Sequence, residues 1–157
     1  MKLKIVILTL LLGFNSAYSQ NQIGDFKEKF ELPERVKETS GLLFLDGKII
    51  THNDSGDAAN LYEIDSLSGI IVRTVSISNA TNIDWEDMAE NDTHIFIADI
   101  GNNNGDRLDL KIYSILKSDF KNNTSISAEI ISFSYEDQAD FSSQPDSSNF
   151  DAKGIVV

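Results

Sequence analysis

Glu38-Thr39-Ser40-Gly41-Leu42-Leu43-Phe44, followed by Asn53-Asp54-Ser55-Gly56, is matched further along by Asp84-Trp85-Glu86-Asp87-Met88-Ala89, followed by Asp99-Ile100-Gly101-Asn102-Asn103. Each copy runs from acidic residues through a short apolar strand, a turn and a second apolar strand into a loop of Asp, Asn and Gly. A third copy opens at Asp151-Ala152-Lys153-Gly154-Ile155-Val156-Val157. Repetition at a period of a few tens of residues marks stacked or radial architectures, in which one unit covers the apolar face of the next.

Working outward, apolar alternation and turn residues predict strands at 41–45, 48–51, 60–64 and 70–77. Asp46-Gly47 suits a two-residue hairpin, Asn53-Asp54-Ser55-Gly56 a wider loop, and Ser66-Leu67-Ser68-Gly69 a tight return. A second set is expected at 86–89, 94–99, 108–116 and 126–135. In the third of these, Leu108, Leu110, Ile112 and, after a slip of phase, Ile115 are apolar among polar neighbours, as a half-buried strand requires. No segment beyond the N-terminal region carries sustained helical spacing. The chain therefore reads as all-β: a partial β-propeller of about two four-stranded blades, with Gly154 beginning the first strand of a third. Residues 136–150, rich in Ser, Asp and Gln, form an excursion between blades. A β-sandwich also offers many short strands and is the competing architecture, although it needs no internal repeat.

The N-terminal residues place Lys2 and Lys4 before an apolar run from Ile5 to Leu12 and close on small residues at Ala17 and Ser19. This pattern predicts a secretory signal peptide over 1–19 and an exported chain, secreted or periplasmic. Residues 20–157 then form the N-terminal portion of the propeller domain, with further blades expected outside this sequence. Residues 23–30 are a candidate for the strand that closes the ring. There is no cysteine, which removes disulfides and thiolate chemistry. The formal net charge is −12, so the surface repels nucleic-acid phosphates and anionic lipid headgroups, and cations are the natural small partners.

Consecutive strands of a meander run in opposite directions, so the start of the first and the end of the second meet at one end of the hairpin. Glu38 is thereby placed near Asn53 and Asp54, and Asp84 and Glu86 near Asp99, Asn102 and Asn103. In a radial stack these groups converge on one channel mouth, where the repulsion among gathered carboxylates needs a cation, protons or hydrogen bonds to offset it. Oxygen donors with no cysteine suit calcium rather than zinc or copper. Glu38, Asn53 and Asp54 lead the candidate ligands, followed by Glu86, Asp99 and Asn102. Taken singly, these residues are also ordinary turn formers that cap local amides; their repeated placement is what argues for a shared ion.

Trp85 is either a stacking platform for a ligand or a packing residue between blades. His52 and His94 have no nucleophile beside them and read as structural. Arg107 pairs with Asp106 or Asp109, or else clamps an anion. Asn102-Asn103-Asn104-Gly105 has the composition of a hairpin tip. Nucleophile elbows, zinc-binding His pairs, phosphate loops and helix-loop-helix calcium loops are absent.

Taken together, the Glu38-x-Ser40-Gly41-Leu42, Asn53-Asp54-Ser55-Gly56, Asp84-Trp85-Glu86-Asp87 and Asp99-Ile100-Gly101-Asn102-Asn103 strings resemble a group of secreted bacterial β-propeller proteins. More distantly, Glu38 is similar to the calcium-ligating glutamate of six-bladed gluconolactonase and paraoxonase-like propellers. That likeness implies calcium-dependent hydrolysis of lactones or phosphoesters; in a hydrolase of this kind, calcium would polarise a carbonyl or phosphoryl oxygen while Asp99 or Glu86 acts as base. The pattern departs from those families at Thr39-Ser40, where Gly-Pro is usual, and at Lys153, where a third acidic residue is expected. The chain thus reads as a binding or scaffold module that takes a metal or small molecule at the channel mouth, with the hydrolase as its rival.

Overall fold

The computed structural model describes residues 27–143, 145 and 148–157. The signal-peptide reading, and residues 23–26 of the proposed closing strand, lie outside this set. Two antiparallel meanders follow one another in the chain. The first comprises β1 (Thr39–Leu45), β2 (Lys48–Asn53), β3 (Asn60–Asp65) and β4 (Ile71–Ile77); the second comprises β5 (Trp85–Glu90), β6 (His94–Asp99), β7 (Lys111–Leu116) and β9 (Glu129–Ser132). A two-residue strand, β8 (Ser125–Ile126), leaves the second meander and pairs in parallel with β4. The sheets are accordingly of five strands (β1-β2-β3-β4-β8) and four (β5-β6-β7-β9), and neither closes on itself among the described residues.

Most expected strands lie within a few residues of their predicted positions. The hairpin at Asp46-Gly47 has both residues at positive φ, 49° and 77°, as a two-residue turn with right-handed strand twist requires. Four expectations need correction. The third strand of the second set starts at Lys111, because Asp109 and Arg107 are taken up in side-chain pairing. A short helix, α1 (Lys117–Asn122), follows β7 and drives Phe120, 2 % exposed, into the core. Residues 154–157 sit beside β5 without strand pairing, and residues 27–30 carry no strand.

One core lies between the two sheets. Leu43, Ile50, Leu61, Val75 and Ile77 from the first meet Trp85, Met88, Ile95, Ile97, Tyr113 and Ile115 from the second, with Phe120 and Ile126 closing the gap. A smaller cluster of Val36, Tyr62 and Ile64, with Leu32, Ile49 and Ile71, lies on the other face of the first sheet. Strand registers show how the sheets stack. β1 and β5 each carry one irregularity at the same place, immediately after the pairs Thr39↔Asn53 and Trp85↔Asp99. Counted from those pairs, the core pair Met88↔Ile97 corresponds to Leu42↔Thr51, which lies on the outward face of the first sheet. The inward pair Leu43↔Ile50 corresponds to Ala89↔Phe96, on the outward face of the second. The sheets therefore stack front to back rather than through equivalent faces.

β8 ties the stack at its outer edge. Asn79 Nδ2 donates to the Ala128 carbonyl (2.9 Å) and its Oδ1 accepts from the Ala128 N–H (2.8 Å), so a side-chain amide continues the ladder where backbone pairing stops.

Candidate functional site

The loop after β2 meets the start of β5. Asp54 from the first sheet and Asp84 and Glu86 from the second each bring a carboxylate oxygen to within 4.8 Å of the others. The loop is fixed by the Asp54 N–H donating to the Glu38 carbonyl at 2.8 Å. Asp84 is fixed by its own N–H on Asp99 Oδ1 (3.1 Å), by its carbonyl accepting from Gly101 N–H (3.1 Å), and by Asn103 Nδ2 donating to its carboxylate (3.1 Å). Gly101 is required here because a Cβ would collide with both the Asp84 and Glu86 carboxylates. Asp54 Oδ1 is buried and has no hydrogen-bond partner.

This convergence strains the ionised forms. Burial pushes the Asp84 carboxyl above its ordinary range, and hydrogen bonding to and repulsion from Asp54 push it further. Burial raises Glu86 as well, while the Lys153 ammonium pulls it back. Lys153 Nζ lies 2.5 Å from Glu86 Oε1, 3.0 Å from Asp151 Oδ1 and 3.2 Å from Asn103 Oδ1. Thus a tethered cation serves the Glu86 side of the corner, and among the described residues no ion pair involves Asp54.

The other sequence-derived candidates are placed differently. Glu38 contributes its carbonyl to the loop while its side chain is exposed, lining a polar cavity of about 470 Å³ shared with Arg35, Lys37 and Asp57. Asn53 is 7 % exposed and its Nδ2 donates to the Arg35 carbonyl and to Asp57 Oδ2. Asp99 is fully buried and pairs with Arg107 at 2.9 Å; burial raises its carboxyl and Arg107 opposes the rise. Asn102, expected at an exposed tip, is 1 % exposed, with its amide on the Phe150 carbonyl and its Oδ1 accepting from Arg107 N–H. Only Asn103 and Asn104 of that run are exposed. Arg107 binds Asp109 at 3.0 Å rather than Asp106, and also donates to the Gly101 carbonyl at 2.7 Å, which holds the glycine against the carboxylates.

The residue that joins the cluster beyond the leading candidates is Asp84. Strand pairing makes it the equivalent of Glu38, a correspondence masked in the sequence by Glu86 two positions on. Trp85 is fully buried between the sheets, 5.4 Å from His52 edge-to-face and 5.7 Å from Tyr113, with its indole N–H on the Thr81 carbonyl. It is a packing residue. His52, also fully buried, donates from Nδ1 to the Asn53 carbonyl, and burial lowers its pKa.

Three acidic groups, a buried oxygen without a partner and no soft donor fit a hard divalent cation such as calcium. Asp54, Asp84 and Glu86 would hold it, and the ion would supply positive charge between the Asp54 and Asp84 carboxylates, beyond the pull that Lys153 and Arg107 exert on Asp84. Compared with known proteins, the chain matches no family model, no curated sequence and no solved structure.

Proposed function

We propose that this chain is part of an exported β-propeller, two blades and the beginning of a third, and acts as a binding module whose acidic corner holds calcium. Front-to-back stacking supports the radial reading, because repeated stacking in one sense around an axis is how blades follow one another. Chain also lies over part of the first sheet's outer face and reaches the edge strand β5 of the second. Residues such as Leu32 and Val36 cover the back of the first sheet, and Ile155 N–H is bound by Asp87 Oδ2 of β5. Export is supported by the charged, apolar and small-residue order of residues 1–19.

The observation that carries the calcium reading is the meeting of Asp54 with Asp84 and Glu86 from separate sheets. No observation favours the hydrolase: Asp99 is fully buried against Arg107, and Glu86 is engaged by Lys153. Isothermal titration with calcium chloride tests the reading. Binding by the native chain that weakens at least tenfold in Asp54→Asn and in Asp84→Asn is the expected result. Equal affinity in all three would overturn it.

A further inference from the structure

We propose that the outer edge of β9 is a self-association surface, on which a second copy of this chain adds its own β9 antiparallel about a two-fold axis. This is independent of the calcium reading. Sheet edges expose unpaired N–H and C=O groups, and proteins usually blunt them with bulges, prolines, lysines or covering chain. The other edges of the two sheets are blunted in such ways. β1 and β5 each carry an irregularity and pack against one another, Ile155 N–H is bound at β5, and β8 is two residues long. β9, Glu129-Ile130-Ile131-Ser132, has no lysine or proline, pairs with β7 in unbroken register and is exposed at every position. An outer edge already serves for pairing once in this molecule, where β4 of the first unit takes up β8 from the second.

The ladder fixes what can be added. Phe133 N–H donates to the Leu110 carbonyl at 3.1 Å, and alternate residues of an antiparallel strand bond the same neighbour. Glu129 and Ile131 therefore turn their backbone groups to β7, and Ile130 and Ser132 turn theirs to the open side. A two-fold axis through Ile131 sets Ile130 opposite the partner's Ser132, and such a pair exchanges both its N–H···O bonds. The same register sets Ile131 beside the partner's Ile131. Ile131 lies on the face that carries Ile112 and Ala98, so an apolar row runs across the junction. Glu129 falls opposite the partner's Phe133, which keeps the two Glu129 carboxylates ~13 Å apart along the strands, beyond the ~8 Å Debye length at physiological salt. So short a strand pair buries less than the roughly 1,200 Å² of stable complexes, which makes the dimer weak and concentration-dependent. The net charge of −12 on each copy opposes it, so salt strengthens it.

Sedimentation velocity of the full chain over a range of concentrations tests this, with hydrogen exchange at the β9 amides and far-UV circular dichroism as the check on folding. A monomer–dimer equilibrium is expected, tighter at higher salt. Concentrating the native chain should slow exchange at Ile130 and Ser132 about threefold and leave Ile131, whose N–H faces β7, unchanged. Ser132→Pro removes an N–H that β7 does not use, and Ile131→Lys sets two ammonium groups side by side across the axis; each should weaken the dimer about tenfold. Phe44→Lys, a change of the same kind at an exposed residue of β1, should dimerise like the native chain. A native chain that stays monomeric at every concentration, or whose Ile130 and Ser132 exchange ignores concentration, would overturn the proposal. So would a dimer that survives in Ser132→Pro and Ile131→Lys, or one lost in Phe44→Lys, since association would then run through another face.

Discussion

Asp84 and His52 make opposite demands on pH. At the corner, Asp84 has a folded-state pKa above its unfolded value, so the native state takes up protons more readily and gains stability as pH falls from neutral toward the carboxylate range. Replacing Asp54 by Asn removes the repelling neighbour. In calcium-free buffer at pH 7 this variant should be more stable than the native chain by about 1 kcal/mol, with a flatter acid-side profile in urea unfolding. For His52 the sign reverses. Burial depresses its folded pKa, so the unfolded chain binds the proton first, and stability present above about pH 6.5 is lost as pH falls below it. His52→Gln should therefore lose less stability than the native chain between pH 7 and pH 5. A loss equal to the native one would assign that pH dependence to other groups.

Strands and loops obey packing constraints that single-residue chemistry does not express. Gly41 sits where β1 crosses β5; a Cβ there would meet His52 Nε2 and lie 2.9 Å from the Met88 backbone nitrogen. Gly41→Ala should destabilise the chain by about 1–3 kcal/mol through overpacking, measured by chemical denaturation. At the outer edge, Asn79→Ala removes both bonds to Ala128 and should cost roughly 1–2 kcal/mol, with faster exchange at the Ser78 amide, which donates to the Ile126 carbonyl. The strands themselves were legible because β6, for instance, alternates buried Ile95 and Ile97 with Phe96, and its bounds are set by Asn91-Asp92 and Gly101. The α1 helix was not: six residues with one buried side chain, Phe120, give no period to detect. Neither was β8, whose two residues are placed by a neighbouring sheet. Meander topology predicts acidic groups at one end of each hairpin, and Asp54, Asp84 and Glu86 do lie together there while Glu38 and Asp99 do not join them. Which carboxylates converge was not legible, because the irregularity between Trp85 and Asp87 decides how Asp84, Glu86 and Asp87 are aimed, and nothing local to Asp-Trp-Glu-Asp encodes it.

Across the whole molecule, stability depends on one shared core rather than on two separate ones. Trp85, the single tryptophan, sits at the middle of that core, touching His52 of the first sheet and Tyr113 of the second. Repeat arrays unfold piecewise when each unit owns its contacts, and cooperatively when the interface dominates. Here the first sheet's inward residues Ile50, Leu61 and Val75 have their apolar partners in the second sheet, and β8 and Asn79 bind the outer edges together. Neither sheet can bury its face alone, so both should melt in one transition. Tryptophan fluorescence, which reports the sheet interface, and far-UV circular dichroism, which reports strands throughout, should give coincident urea curves. Trp85→Leu should shift the dichroism midpoint as a whole, with a loss of about 2–4 kcal/mol for the lost ring contacts and the space they leave. A biphasic dichroism curve, with fluorescence following only its first step, would mean that the sheets come apart before either unfolds, and that front-to-back stacking organises the chain without stabilising it.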